Sequence, residues 1–279
     1  MRVPVLAYHS NNISGDEYAR NDHVALAEDL ETIRRSGRRI VPLARVVDAL
    51  LGEAPAADVE HAVAISFDDG SWFDWHDIDH PACGPQRGMA GILRDFALRT
   101  GAPVHATAFV IVSPEARAIL DRTCLAGRGW WGDDWWRAAQ REGLVGIESH
   151  GWSHNHATLP AALQCAPPGG TFRTVADHGT ADAEIRRASD WLDVHLAPHR
   201  TTLLAWPYGE TSDYLVREYL PLHADEHRLR AAFGTRAAPV TAGSPRWDLP
   251  RYVCGHHWAA PSELERLLSE PATARARTG

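Results

Sequence analysis

The hydrophobic positions of the chain form short runs rich in β-branched residues, and these alternate with longer stretches of helical periodicity. A short apolar run predicts a buried strand, whereas apolar residues three or four positions apart predict an amphipathic helix. We predict strands at 3–8, 62–67, 104–110, 145–148, 202–206 and 251–253, and from less regular runs at 39–41 and 231–233. We predict helices at 25–36, 44–51, 88–100, 114–120, 135–141, 181–196, 212–220 and 261–268.

Alternating strands and helices are typical of βα units with a mostly parallel sheet. About eight strand predictions indicate a closed or nearly closed barrel. No stretch of linker composition divides the chain, so we expect one catalytic domain over residues 1–269. The ending EPATARARTG predicts a flexible tail over residues 270–279.

Composition excludes several classes of protein. The 279 residues carry 36 acidic and 28 basic side chains, and the net charge of −8 is unfavourable for a nucleic-acid partner. Every basic residue is Arg, which excludes a lysine Schiff base. The four cysteines contain no CxxC pair, so the sequence indicates neither a thiolate zinc knuckle nor a disulfide scaffold. No apolar run is long enough for a signal peptide or a membrane span, so we expect a cytoplasmic protein without a membrane partner.

The first candidate for chemistry is the sequence FDDG at the end of the second strong strand prediction. The carboxyl ends of strands in α/β sheets and barrels are where ligands bind. The adjacent carboxylates of Asp68 and Asp69 repel each other unless a cation lies close, so the pair indicates a metal or Arg partner. An Asp-Gly turn without further function is the alternative at this point.

Two further motifs also follow strand predictions. His150 and His154 in HGWSH are four residues apart, so one helical turn would direct both imidazoles into one cavity as metal ligands. In WPYG, Pro207 ends the ladder and Gly209 permits close approach of the backbone, while Tyr208 offers a phenol or an amide N–H. A plain strand-to-helix turn explains WPYG equally well.

Taken in order, FDDG, HGWSH and WPYG, preceded by the opening VPVLAYHS, resemble the polysaccharide deacetylases, carbohydrate esterase family 4 with its NodB homology domain. The similarity runs from about residue 3 to residue 258. It implies an α/β fold, a distorted (β/α) barrel of the NodB-homology type. It also implies metal-dependent removal of acetyl groups from carbohydrate.

The resemblance assigns roles to individual positions. Asp68 matches the general base, and Asp69, His150 and His154 match the metal ligands. Tyr208 matches the residue whose backbone N–H holds the oxyanion. The implied cofactor is a divalent metal, Zn²⁺ with Co²⁺ or Ni²⁺ as alternatives.

The chain departs from the family pattern at two places. Many members carry an Arg that orients the base at the position of Ala205, and we predict that Arg251 supplies this charge instead. The family's last motif places a catalytic histidine at His256, which we assign as general acid, with His257 as the rival.

Aromatic residues suggest where substrate binds. Trp72 and Trp75 directly follow FDDG, and flat aromatic faces suit the apolar faces of sugar rings. We predict that both, together with Trp206 and Pro207, contact substrate. The surrounding insert, residues 71–88, is rich in Asp and His, and we interpret it as a solvated loop with a second metal site as the alternative.

The predicted function is hydrolytic deacetylation of an N-acetylated sugar or polysaccharide, or of a glycosylated metabolite. One alternative is hydrolysis of another non-peptide C–N bond in a small molecule. The other is a catalytically silent carbohydrate-binding domain. Ala205 favours the binding domain, whereas Asp68 opposes it, because a binder needs no second acid beside a ligand Asp.

Overall fold

Parallel strands form the centre of the molecule. The computed structural model describes residues 1–164 and 171–269. The strands of these residues are β1 (Arg2–Val3), β2 (Val5–His9), β3 (Arg39–Ile40), β4 (Ala62–Asp68), β5 (Ile78–His80), β6 (Gly84–Gln86), β7 (Ala106–Val110), β8 (Val145–Ser149), β9 (Leu203–Ala205), β10 (Ala231–Phe233), β11 (Val240–Thr241) and β12 (Tyr252–Val253). Seven of them form one parallel path in the order β10-β9-β8-β7-β4-β2-β12, and β3 pairs with the start of β4.

The segment that leads into β12 brings the two edges of this sheet together. The Leu249 N–H donates to the Ala232 carbonyl of β10 at 2.8 Å, and the Gly234 N–H donates to the Leu249 carbonyl at 2.8 Å. Three residues later, Tyr252 pairs with Leu6 of β2. The sheet therefore curls into an incomplete barrel, and the predicted distorted (β/α) barrel is confirmed.

Helices cover the outside of the sheet. They are α1 (Asp22–Arg35), α2 (Leu43–Leu50), α3 (Met89–Thr100), α4 (Pro114–Cys124), α5 (Trp136–Glu142), α6 (His178–Ala181), α7 (Arg187–His195), α8 (Leu220–Leu222), α9 (Ala224–His227) and α10 (Pro261–Ser269). One π-helical turn, Asp182–Arg186, joins α6 to α7, and another, Leu215–Tyr219, precedes α8. Short 3₁₀ turns lie at Tyr18–Arg20, Ala56–Val59, Trp72–Asp74, Ala161–Leu163, Phe172–Thr174 and Pro207–Gly209.

Strand β4 is buried on both faces because its alternating side chains pack into two different apolar clusters. Val63, Ile65 and Phe67 pack in a cluster with residues of the surrounding helices. Ala62 and Ala64 point the other way and pack against strands across the barrel. Successive residues of a strand face opposite sides, so such a strand reads as a continuous apolar run.

Local signals fix the helix ends. The Asn21 side chain accepts from the His23 N–H at the start of α1, and Ser113 accepts from the Ala116 N–H at the start of α4. Gly101 and Gly143, with φ of 69° and 73°, end α3 and α5 in the left-handed conformation that glycine adopts without strain.

The insert after FDDG differs from the prediction of a solvated loop. It contains the antiparallel hairpin β5–β6, and Phe73 and Ile78 pack in a small apolar cluster beneath it. Asp77 pairs with Arg87 at 2.5 Å instead of joining a group of metal ligands. Among residues 1–164 and 171–269 no helix has the length and apolar content required to span a bilayer. The predicted tail, residues 270–279, lies outside the described residues.

A buried carboxylate ties α1 to the barrel and to the segment that precedes the last helix. Asp29 accepts from the hydroxyl of Tyr8 at 2.9 Å and from the indole N–H of Trp258 at 2.9 Å, and it also accepts from the hydroxyl of Tyr18. Burial raises the pKa of Asp29 from 3.8 to about 6, although the three donors oppose this shift.

We expect this carboxyl to make stability depend on pH. A folded-state pKa above the unfolded value gives stability that is present below pH 3.8 and is lost as the pH rises through about 6. The group should therefore contribute about 1 kcal/mol more at pH 5 than at pH 8. Urea unfolding of the parent and of Asp29→Asn at both values measures this difference. Equal pH dependence in the two proteins would contradict the assignment.

Candidate active site and metal-ligand cluster

The carboxyl ends of several barrel strands open into one cleft of about 330 Å³. His9 ends β2, Asp68 ends β4, His150 follows β8, and Val253 ends β12; all four line the cleft. Tyr208 lines it from the turn after β9. Parallel pairing places these ends on the same edge of the sheet, which is why residues far apart in sequence meet here.

The turn after β4 separates the two adjacent carboxylates. Asp68 continues the inward-facing side of the strand, whereas Asp69 and Gly70 adopt positive φ values of 76° and 75° and leave it. A Cβ at Gly70 would lie 2.5 Å from Cγ1 of Val110, so only glycine fits at this position. The turn therefore directs Asp68 into the barrel and Asp69 into the cleft.

The two imidazoles meet Asp69 by a different route from the predicted helical turn. Residues 150–156 form irregular turns, and His154 and Asn155 have positive φ values of 62° and 49°. The Nε2 atoms of His150 and His154 each lie 3.6 Å from Oδ1 of Asp69. The predicted convergence is present, but left-handed residues produce it and no helix does.

The protonation of these groups suits a divalent metal. The Nδ1 atom of His150 lies 2.8 Å from the Ala205 carbonyl, which leaves its Nε2 lone pair directed at the cleft. Burial lowers the pKa of His150, and it lowers the pKa of His154 to about 3. Two neutral imidazoles and one carboxylate oxygen form an open ligand set for a first-row cation such as Zn²⁺.

Two side chains absent from our sequence predictions hold Asp69 in place. Nδ2 of Asn11 donates to its Oδ2 at 3.1 Å, and the indole N–H of Trp131 donates to its carbonyl at 3.0 Å. Both residues also line the cleft. Asn11 follows β2 by two residues, so the rule that identified FDDG also applies to it. Trp131 does not directly follow a strand, and nothing in its sequence context indicates this role.

Arg251 makes the contact with Asp68 that we predicted. Its Nη1 and Nη2 atoms donate to Oδ1 and Oδ2 of Asp68 at 2.6 and 2.8 Å, and Nη1 also donates to Ser66 Oγ at 3.1 Å. Both side chains of the pair are buried. Burial opposes ionisation of Asp68, but the charge and hydrogen bonds of Arg251 outweigh it and hold the pKa well below its usual range.

The remaining predicted catalytic residues lie at the rim of the cleft. Tyr208 sits in the tight turn after β9 with a φ of 58°, and its side chain is half-exposed. His256 lines the cleft, whereas His257 accepts from the Val253 N–H at 2.8 Å and faces a neighbouring cavity. His9, which our sequence predictions also omitted, places Nε2 3.9 Å from Oδ2 of Asp68.

The four predicted substrate contacts do not line this cleft. The indole N–H of Trp72 donates to Asp134, and Trp75 stacks on Trp135 with ring centroids 6.0 Å apart. Trp206 is fully buried with its N–H on the Trp247 carbonyl. Pro207 is buried as well. Contact of these four residues with substrate therefore stays a prediction, and the structure places Trp72 and Trp75 against Asp134 and Trp135.

A buried glutamate fixes the loop between the two imidazoles. Glu184, on the π-helical turn, accepts from the Ser153 N–H at 2.9 Å and from the Ser153 hydroxyl at 2.5 Å. The Glu184 carbonyl accepts from the Trp152 N–H at 2.8 Å. π-Helical turns are frequent at functional sites, and this one carries the residue that holds the loop.

We expect Glu184→Ala to lower the free energy of unfolding by about 1–3 kcal/mol, because it leaves buried donors without an acceptor. It should also weaken metal binding by about 10–100-fold, since residues behind metal ligands have effects of this size. Glu184→Gln keeps an acceptor for the Ser153 N–H and is the control. Chemical unfolding and zinc titration measure both effects. Parent-like values for the Ala variant would show that Glu184 does not hold this loop.

Comparisons with known proteins identify the fold and the family of the chain. The deacetylase PplD of Streptococcus pyogenes, solved in complex with acetate, is 18% identical with a TM-score of 0.65, covering 97% of this chain and 99% of its own. IcaB of Ammonifex degensii is 18% identical with a TM-score of 0.62 and coverages of 96% and 97%. A de-N-acetylase of Aggregatibacter actinomycetemcomitans is 17% identical with a TM-score of 0.60 and coverages of 96% and 100%.

At these identities the solved structures show a shared fold. No curated protein sequence matches the chain. The model of the family described as polysaccharide deacetylase matches residues 56–224, which is more than half of the chain and contains FDDG, HGWSH and WPYG. The protein therefore belongs to the polysaccharide deacetylase family.

Proposed function

We propose that the protein is a metal-dependent hydrolase that removes acetyl groups from an N-acetylated sugar or polysaccharide. One observation carries the proposal: Asp69, His150 and His154 converge within 4.8 Å of one another, with Asp68 lining the same cleft. An amide resists hydrolysis, so a site must both activate water and stabilise the oxyanion. This cleft has residues suited to each task.

Asp69, His150 and His154 would hold the cation, Zn²⁺ by ligand type with Co²⁺ or Ni²⁺ as alternatives. A divalent cation at such a site supplies Lewis-acid polarisation of a carbonyl and lowers the pKa of water. The chain orients the three ligands before substrate arrives. The Ala205 carbonyl contacts His150, and Asn11 contacts Asp69. The hydrogen bond from Ser153 to Glu184 holds the loop that carries His154.

Asp68 is the proposed proton acceptor. The bidentate contact with Arg251 keeps its carboxylate ionised at neutral pH and fixes its orientation. A carboxylate oxygen of Asp68 takes the proton of the attacking water. An ion pair with Arg251 makes Asp68 a weak base, so proton transfer to it would rely on the cation that Asp69, His150 and His154 would hold.

The amide N–H of Tyr208 is the proposed oxyanion donor, since the turn after β9 presents this residue to the cleft. The leaving amine needs a proton, and an imidazole is the side chain suited to give it at neutral pH. His256 is the proposed donor because it lines the cleft, as His257 does not. His9 is the second imidazole to test.

The contact between Arg251 and Asp68 favours an enzyme over a silent binding domain. Ala205 was the argument for the binding domain, because the Arg expected there is missing. Arg251 reaches the same carboxylate from the segment before β12, so the base retains a guanidinium partner. The residues proposed for metal binding, proton transfer and oxyanion binding all line this one cleft.

Acetate release from N-acetylglucosamine oligomers in the presence of Zn²⁺ tests the proposal. We expect the parent to release acetate and Asp68→Asn, which preserves side-chain volume, to lose most of the rate. His256→Ala and His9→Ala, assayed side by side, identify the proton donor. Release of ammonia or of a ring-opened product without acetate would replace deacetylation with the other C–N hydrolysis.

A further inference from the structure

Outside the cleft, a second group of metal-ligating side chains lies where α6 meets α8 and α9. It contains His178 at the start of α6, His223 between α8 and α9, and Glu226 on α9. One ligand atom from each lies within 4.8 Å of the others. None of the three lines the cleft.

The distances within this group match those between ligands of one ion. Nε2 of His178 lies 3.4 Å from Oε2 of Glu226, and Nδ1 of His223 lies 2.8 Å from Oε1 of the same carboxylate. The rings of His178 and His223 are 4.5 Å apart at their centroids. Ligands about 2.0–2.2 Å from a tetrahedral zinc ion are separated by roughly 3–3.5 Å, so a small movement of Glu226 would complete the set.

A second carboxylate, that of Asp182, lies near His178. Its Nδ1 atom, on the side of the ring opposite the ligand atom, lies 3.9 Å from Oδ2 of Asp182. Asp182 is itself held by the hydroxyl of Tyr219 at 2.7 Å and by Nε of Arg186 at 2.8 Å. At 3.9 Å this carboxylate is beyond hydrogen-bond distance, so its contribution is the negative charge that it places behind the imidazole, which favours a cation nearby.

The accessibility of the group would allow an ion to enter. The side chains of His178, His223 and Glu226 are 43%, 31% and 46% exposed. Two imidazoles and a carboxylate favour Zn²⁺, Co²⁺ or Ni²⁺ over the hard cations Mg²⁺ and Ca²⁺, which prefer oxygen ligands. Three protein ligands leave a fourth position for water.

We propose that His178, His223 and Glu226 form a second transition-metal site, selective for Zn²⁺-like cations, that cross-links α6 to the α8–α9 turn. The ion would bind the folded arrangement of His178, His223 and Glu226, so its binding free energy would stabilise the folded state. The site lies at the start of the helical segment that carries Glu184, whose carboxylate holds the loop between His150 and His154. The ion therefore stabilises the element that supports the catalytic cleft.

Counting zinc ions on the metal-free full chain tests the site independently of activity. We expect two equivalents of Zn²⁺ per chain by calorimetric titration of the parent, one for His223→Gln, one for His154→Asn and none for the double variant. Glu226→Gln, at an exposed position, repeats the test should His223→Gln unfold. His61→Asn, which removes an exposed imidazole elsewhere, is the control and should keep both equivalents.

A second readout is the melting temperature. Zn²⁺ binding to the folded state should raise it by several degrees in His154→Asn, and the rise should disappear in the double variant. One equivalent in the parent and an unchanged count in both His223→Gln and Glu226→Gln would overturn the proposal. The outcomes are separable: if only the cleft fails to bind, the parent holds one equivalent and His223→Gln none, whereas if only the second site fails, the parent and His223→Gln both hold one.

Discussion

His154→Asn is expected to reduce acetate release by at least about a thousandfold and to remove one bound zinc ion. Asparagine tolerates the positive φ of 62° at this position, so the backbone turn should persist while one ligand nitrogen is lost. Two ligands bind a cation far more weakly than three, and both water activation and carbonyl polarisation depend on that cation. Metal analysis and acetate release on the same preparations measure the two losses.

His156→Asn is the matched control for this experiment. His156 lines the same cleft, and its ring centroid lies 5.7 Å from that of His154, but it does not belong to the converging set. We expect it to keep the ion and to stay within about tenfold of the parent rate. Circular dichroism of each variant verifies the fold. A His154→Asn protein with parent-like metal content would remove this residue from the ligand set.

The second large effect is expected from Arg251→Met. The substitution leaves the buried carboxylate of Asp68 without its partner, and loss of one member of a buried pair costs about 3–5 kcal/mol. The pKa of Asp68 should rise because burial then acts without the guanidinium. We expect acetate release to fall by at least about a hundredfold, since the base loses both charge and orientation. Urea unfolding and acetate release measure the two effects.

A double-mutant cycle separates the pairing of Arg251 and Asp68 from general damage to the core. Asp68→Asn in the Arg251→Met background removes the unpaired charge, so we expect most of the lost stability to return. Activity should not return, because the proton acceptor is gone. If the stability losses of the two single variants simply add in the double variant, the two side chains are not energetically coupled.

The sequence predicted the parts of the fold in which local pattern and tertiary environment agree. Strand β4 and helix α4 illustrate this, because a continuous apolar run suits a strand buried on both faces, and Ser113 followed by Pro114 is a strong helix start. The hairpin β5–β6 could not be predicted in the same way. Its strands have three residues each and lack alternating hydrophobicity, so only tertiary contacts define them.

The site shows the same division. Each polar motif at a strand end was recognisable, because parallel strands bring their carboxyl ends together. The backbone conformation that brings His150 and His154 together could not be recognised, because their spacing also fits a helix. Only the structure shows that left-handed residues lie there. Trp131 and Glu184 contact the site from segments whose position depends on the whole fold. Their spacing from the motifs in sequence therefore does not predict these contacts.

A zinc titration of metal-free protein, with acetate release followed, tests most directly whether hydrolysis depends on a metal ion in the cleft. We would use His223→Gln, so that only the cleft is expected to bind an ion. We expect no release from the metal-free protein, a rise in rate that ends at one equivalent, and loss of the rate on chelation. Full acetate release without any bound metal, or none after one equivalent has bound, would contradict it.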